Sequence, residues 1–160
     1  MYTETTRLTS MGKLSRCGYD APRNGAQVSS RELEEGLDLK LDFTRFKSPG
    51  GHGVMPVVVQ DVDSKEVLLV GHVSREALEY ALKNRVATFW SMSRNELWIK
   101  GKTSGNTLEL IEVRVNCEQN SVLYIVRLTK SGACHTKDAN GEYRRGCYYR
   151  RIKGDKLEMV

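Results

Sequence analysis

The chain has 160 residues, 39% hydrophobic and 28% charged, with a formal net charge of +5 and a sequence pI near 9.1. That length suits one compact domain with a tail, because two separate cores would each be too small to offset chain entropy. The balance is that of a soluble globular protein; no apolar run approaches the length needed to cross a bilayer, and no apolar h-region for secretion is evident, so a cytoplasmic location without a membrane partner is expected.

The positive charge favours anionic partners. The basic residues are scattered except at Arg144, Arg145, Arg150 and Arg151, and none of the nucleic-acid modules surrounds that cluster. A solvated basic face is therefore the expectation there, and a nucleic-acid partner is not.

Residues 1–36 carry few large apolar groups and read as a flexible extension. A targeting role for this segment is the minor reading, and Cys17 within it reads as an incidental free thiol. The breaker Ser48-Pro49-Gly50-Gly51-His52-Gly53 precedes the first clear strand, and the domain is placed at 37–153 with a tail at 154–160. Val54 to Gln60 and Val67 to Val73, rich in β-branched residues, flank a polar turn and predict a hairpin. Ser74 is a candidate N-cap for a helix in which Ala77, Leu78, Ala81 and Leu82 recur at helical spacing, with Asn84 as its stop.

Strands are expected from Val86 to Ser91, Leu97 to Lys100, Thr107 to Val115 and Val122 to Thr129. Between Leu108 and Val115 the alternation changes phase, which a β-bulge reconciles. The predicted class is α+β, a mostly antiparallel, strongly curved, half-barrel-like sheet with one main helix.

Three of the four cysteines, Cys117, Cys134 and Cys147, lie in the folded half. Thiolates are good zinc ligands, and three protein ligands with an open position is the usual catalytic arrangement. The spacing does not itself show that they converge, and a buried hydrophobe is the alternative for any single one. His135, beside Cys134, suits a fourth ligand, a general base or a hydrogen-bonded loop residue. His52 and His72 read as a turn residue and a sheet residue. The loop Lys100-Gly101-Lys102-Thr103-Ser104-Gly105-Asn106 could gather amides, lysines and hydroxyls on phosphate oxygens, or be a polar turn.

Over roughly residues 41 to 151 the sequence resembles phosphoribosyl-AMP cyclohydrolase, an enzyme of histidine biosynthesis. The residues that carry the resemblance are Met55-Pro56-Val57-Val58-Val59-Gln60-Asp61, Ser74-Arg75-Glu76-Ala77-Leu78, the run from Phe89 to Asn106, Ala133-Cys134-His135-Thr136, and Arg144-Arg145-Gly146-Cys147-Tyr148-Tyr149-Arg150. The resemblance implies an intertwined homodimer with zinc held by Cys117, Cys134 and Cys147 from two chains at the interface. The implied reaction is hydrolytic opening of the adenine ring between N1 and C6 of a small phosphorylated purine nucleotide. His135 is then the candidate catalytic proton shuttle, and Arg94, Lys100, Lys102, Thr103 and Ser104 are candidates for holding phosphate or ribose. Trp90 and Trp98 read as core.

Two departures from the family pattern stand out. Its Asp-Cys-Asp-x-Asp, whose aspartates bind magnesium, reads Asn116-Cys117-Glu118-Gln119-Asn120 here, which predicts weak magnesium binding or none. Lys137 to Tyr143 looks like an insertion between Cys134 and Cys147. Two alternatives follow: a zinc hydrolase acting on another purine nucleotide, and a catalytically silent module that binds nucleotide or RNA.

Overall fold

The computed structural model describes residues 29–160, so Cys17 and most of the extension lie outside the described residues. The protein is α+β. The helices are α1 (Ser30–Glu35) and α2 (Arg75–Asn84). The strands are β1 (Phe46–Lys47), β2 (Gly53–Asp61), β3 (Val67–Ser74), β4 (Thr88–Ser91), β5 (Glu96–Ile99), β6 (Leu108–Val115), β7 (Val122–Leu128), β8 (Arg150–Lys153) and β9 (Lys156–Met159). Among the described residues no helix is long and apolar enough to cross a membrane.

β2 is the centre of a five-stranded sheet. β3 runs antiparallel along one edge of β2, while β1 and β7 share the other. β6 closes the far side of β7 in antiparallel register. The β2–β7 pair is parallel, from Val57 opposite Val122 to Asp61 opposite Val126. The remaining strands form the separate hairpins β4–β5 and β8–β9, the second of which extends into the segment read as a tail. No closed barrel is formed by the paired strands.

The buried residues alternate along β2, with Met55, Val57 and Val59 fully enclosed. They meet Leu68, Val73, Phe89, Leu110, Tyr124 and Val126 in one core. Ser74 caps α2 by accepting the Ala77 N–H at 3.1 Å, and Ala77, Leu78 and Ala81 face the core. Leu82 does not join them and is exposed. Asn84 remains helical with its amide on Tyr80 O, and Arg85 takes the left-handed C-cap conformation at φ 54°. The expected bulge lies in β6, where the pairing with β7 shifts between Leu110 and Glu112.

These contacts set unequal costs. Leu110→Ala should lower the unfolding free energy by about 2–5 kcal/mol, and Ser74→Ala by about 1 kcal/mol, both read from urea unfolding.

Candidate functional site

Because β2 and β7 run the same way, the chain leaving β7 arrives beside the β2–β3 turn. There residues 132–136 fold back against 143–145: Ala133 N–H donates to Arg145 O at 2.9 Å, Cys134 N–H to Arg144 O at 3.0 Å, and Arg144 N–H to Thr136 O at 3.0 Å. Cys147 N–H then donates to Leu68 O on β3 at 2.7 Å. Backbone pairing therefore delivers both cysteines to one place. The two thiols are neighbours, each acting on the other's titration.

Residues 137–143 lie beyond this ladder. Lys137 bridges to Tyr143, and the Asp138 carboxylate accepts the Asn140 and Glu142 N–H groups. This segment thus extends the hairpin outward from its paired base.

Burial raises the Cys134 pKa, but hydrogen bonds from the Thr136 hydroxyl and N–H, the Cys147 thiol and the His135 N–H together bring it below the ordinary thiol value. The Cys134 Sγ to Thr136 Oγ1 distance is 3.0 Å. Cys147 is pushed up to about 11, first by burial and then by the negative charge on Cys134. Thr136 was not singled out as a site residue; the Cys-x-Thr spacing was its signal.

Arg145 braces the same segment, since its guanidinium bonds Asp61 at 2.7 Å and also Glu66. Asp61 is only 2% exposed. Burial raises its pKa, but the Ser64 N–H and hydroxyl and the Arg145 charge outweigh that and hold it low.

Lys100 is buried, whereas Lys102, Thr103 and Ser104 are exposed on the following turn. Gly101 and Gly105 have positive φ, and a Cβ on Gly101 would lie 2.1 Å from the Asn106 backbone, so the turn needs glycine there. Lys130, which the sequence did not single out, brings its ammonium against Gly105. Asn106 is buried with an unpaired Nδ2 donor, and Trp90 with an unpaired Nε1. Trp90 stacks on exposed His52 at 4.4 Å, and Trp98 is partly exposed. Arg94 lies at the opposite end of the β4–β5 hairpin from Lys100 and pairs with Glu96 at 3.0 Å. His135 is exposed immediately after Cys134.

Cys117 is elsewhere, exposed after β6 at the other edge of the sheet from β3. Three strand spacings amount to about 14 Å, whereas two sulfurs bound to one zinc at about 2.3 Å lie within about 4 Å of each other. Consistently, no group of three or more metal-binding side chains occurs among the described residues of this single chain. The Cys134–Cys147 pair fits two positions of a thiolate zinc site.

The residues around Cys117 do not fit magnesium. Asn116 Oδ1 accepts the Asn120 and Ser121 N–H groups, Asn116 Nδ2 donates to Asn120 Oδ1 at 2.9 Å, and Glu118 pairs with Arg45 at 3.2 Å. The amides are committed to the turn, and the remaining carboxylate already has its cation.

The sequence profile described as Phosphoribosyl-AMP cyclohydrolase matches residues 69–149. The chain belongs to the phosphoribosyl-AMP cyclohydrolase family. It is 40% identical over 126 residues to the phosphoribosyl-AMP cyclohydrolase of Chloroherpeton thalassium, covering 78% of this chain and 83% of the relative. The enzyme of that name from Nitrosopumilus maritimus is 42% identical over 117 residues, 73% of this chain and 100% of the relative. The histidine biosynthesis bifunctional protein HisIE of Aquifex aeolicus is 36% identical over 120 residues, 75% of this chain and 53% of the longer relative. The profile thus spans both cysteines of the hairpin, Lys100 and Cys117.

The Asp61 carboxylate has a lower pKa folded than unfolded. Its stabilisation is complete above the unfolded value of about 3.9 and fades as pH falls through the folded one. Asp61→Asn should therefore destabilise the protein at pH 7 and flatten the loss of stability below about pH 4, as read from thermal melts across pH.

Proposed function

We propose that this chain is a zinc-dependent phosphoribosyl-AMP cyclohydrolase of histidine biosynthesis that opens the adenine ring at the N1–C6 bond. The observation that carries the reading is the thiol pair built by backbone pairing at the base of the Cys134 hairpin, in a chain of this family. Cys134 and Cys147 would hold zinc together with Cys117 from a second copy, because their own Cys117 lies across the sheet. Free thiols suit a reducing compartment, hence the cytoplasm.

When bound, zinc supplies the Lewis acidity that makes water nucleophilic near neutral pH. Substitution at N1 renders the purine cationic and C6 electrophilic. Water oxygen adds at C6, the C6–N1 bond breaks, and the oxygen becomes that of the carboxamide. His135, exposed beside Cys134, takes the proton from water and returns it to the departing N1. Lys102, Thr103 and Ser104 hold a phosphate at the turn, with its glycines allowing close approach. Arg94 reaches the substrate from the other end of its hairpin.

Purified protein should contain roughly one zinc per chain and turn over phosphoribosyl-AMP, with Cys134→Ser losing both. Zinc without turnover of this substrate would move the activity to another purine nucleotide. Removing magnesium should leave the rate unchanged, because the turn around Cys117 offers no free carboxylate. Co-expression of Cys117→Ser with Cys134→Ser should restore about a quarter of wild-type activity, since half the dimers are mixed and each has one intact site. No restoration would exclude a shared site.

A further inference from the structure

The loop assigned to phosphate divides into two parts. Lys102, Thr103 and Ser104 face solvent, but Lys100 is only 6% exposed. Its backbone N–H donates to Ala87 O at 3.2 Å, which fixes it at the end of β5, and its ammonium lies 5.7 Å from the centre of the Trp98 ring. No carboxylate lies within ion-pair distance of it among the described residues. The ionisable groups beside it are Cys147 and Cys134.

An ammonium loses most of its hydration on burial, and such a group is retained where an anion replaces the water. The aromatic face of Trp98 offers part of that compensation and the sulfurs a further part, although burial still outweighs them and holds the ammonium below its ordinary pKa. Charge counting makes the same point. Zinc with three thiolates carries one net negative charge, and one fixed lysine balances it without occupying a coordination position. Lys102, by contrast, is exposed, where a substrate phosphate can reach it.

Resting on the zinc reading above, we infer that Lys100 is a positioning residue of the metal centre, a buried counter-charge to the Cys134–Cys147 pair, and does not hold substrate phosphate. It belongs to the shell behind the ligands, where substitutions weaken metal binding by about 10–100-fold. The β4–β5 hairpin, which carries no metal ligand, is thereby tied to the metal centre.

The test compares zinc affinity, by competition with a chromophoric chelator, with KM for phosphoribosyl-AMP at saturating zinc. Lys100→Met should bind zinc about 10–100-fold more weakly with KM unchanged, and Lys100→Arg should recover much of the affinity. Lys102→Ala should do the reverse, raising KM at unaltered zinc affinity. A raised KM with wild-type zinc affinity in Lys100→Met would overturn the inference.

Should the methionine variant fail to fold, the wild type decides. Its Lys100 Cε resonance should move on zinc loading and stay in place on addition of AMP; movement with AMP, or none with zinc, sinks the assignment. A wild-type protein that takes up no zinc would instead defeat the proposed function itself.

Discussion

The parallel pairing of β2 with β7 fixes where everything else can be. Had these strands run antiparallel, the chain leaving β7 would emerge at the far end of the sheet, away from Asp61, Glu66 and Leu68. Running together, they place the Cys134 hairpin beside the β2–β3 turn, where Val62 N–H also donates to Val126 O. Parallel neighbours require a long crossover. Here that connection holds α2, the β4–β5 hairpin and β6, and so the segment with Lys100 and the turn after it is threaded between the strands that carry the site.

Residues 137–143 form the outer part of a hairpin whose base carries the cysteines. Lengthening a loop costs little beyond closure entropy, which grows only slowly with length. What orders the two cysteines is the ladder at the base, from Ala133–Arg145 to Thr136–Arg144. The outer residues satisfy their own turn through Asp138 and form one wall of an open groove of about 690 Å³ with Tyr143, Arg144, Tyr148 and Tyr149. Arg145 holds the returning strand from the other side, which explains why Asp61 is buried as an ion at the end of β2.

Charge is handled differently at the two edges of the sheet. At the Cys134 edge the Lys100 ammonium and the Cys134 sulfur are buried, with Cys147 exposed beside them, and exclusion of water strengthens the interaction of the buried groups. At the Cys117 edge Arg45 pairs with Glu118 and Asp42 in solvent, where such pairs are weak. Its shape there comes from the Asn116–Asn120 hydrogen bonds and from buried Gln119, whose side chain binds Lys40 N–H and Asp38 O. A turn held by amides does not need a divalent ion to keep its form.

Sequence alone determined the features that depend on near neighbours. The β2–β3 hairpin, the Ser74 cap, the apolar face of α2 and the β6 bulge were legible because each follows from local periodicity or a single side-chain hydrogen bond. The family was legible in motifs. Tertiary structure decided the parallel pairing within a sheet expected to be mostly antiparallel, the meeting of Cys134 with Cys147, the distance of Cys117, and the inward turn of Lys100 beside outward-facing Lys102. Each of these depends on which strand edge a distant segment reaches and what is buried there. Composition and spacing carry no record of that, because the energy lies in contacts between residues far apart along the chain.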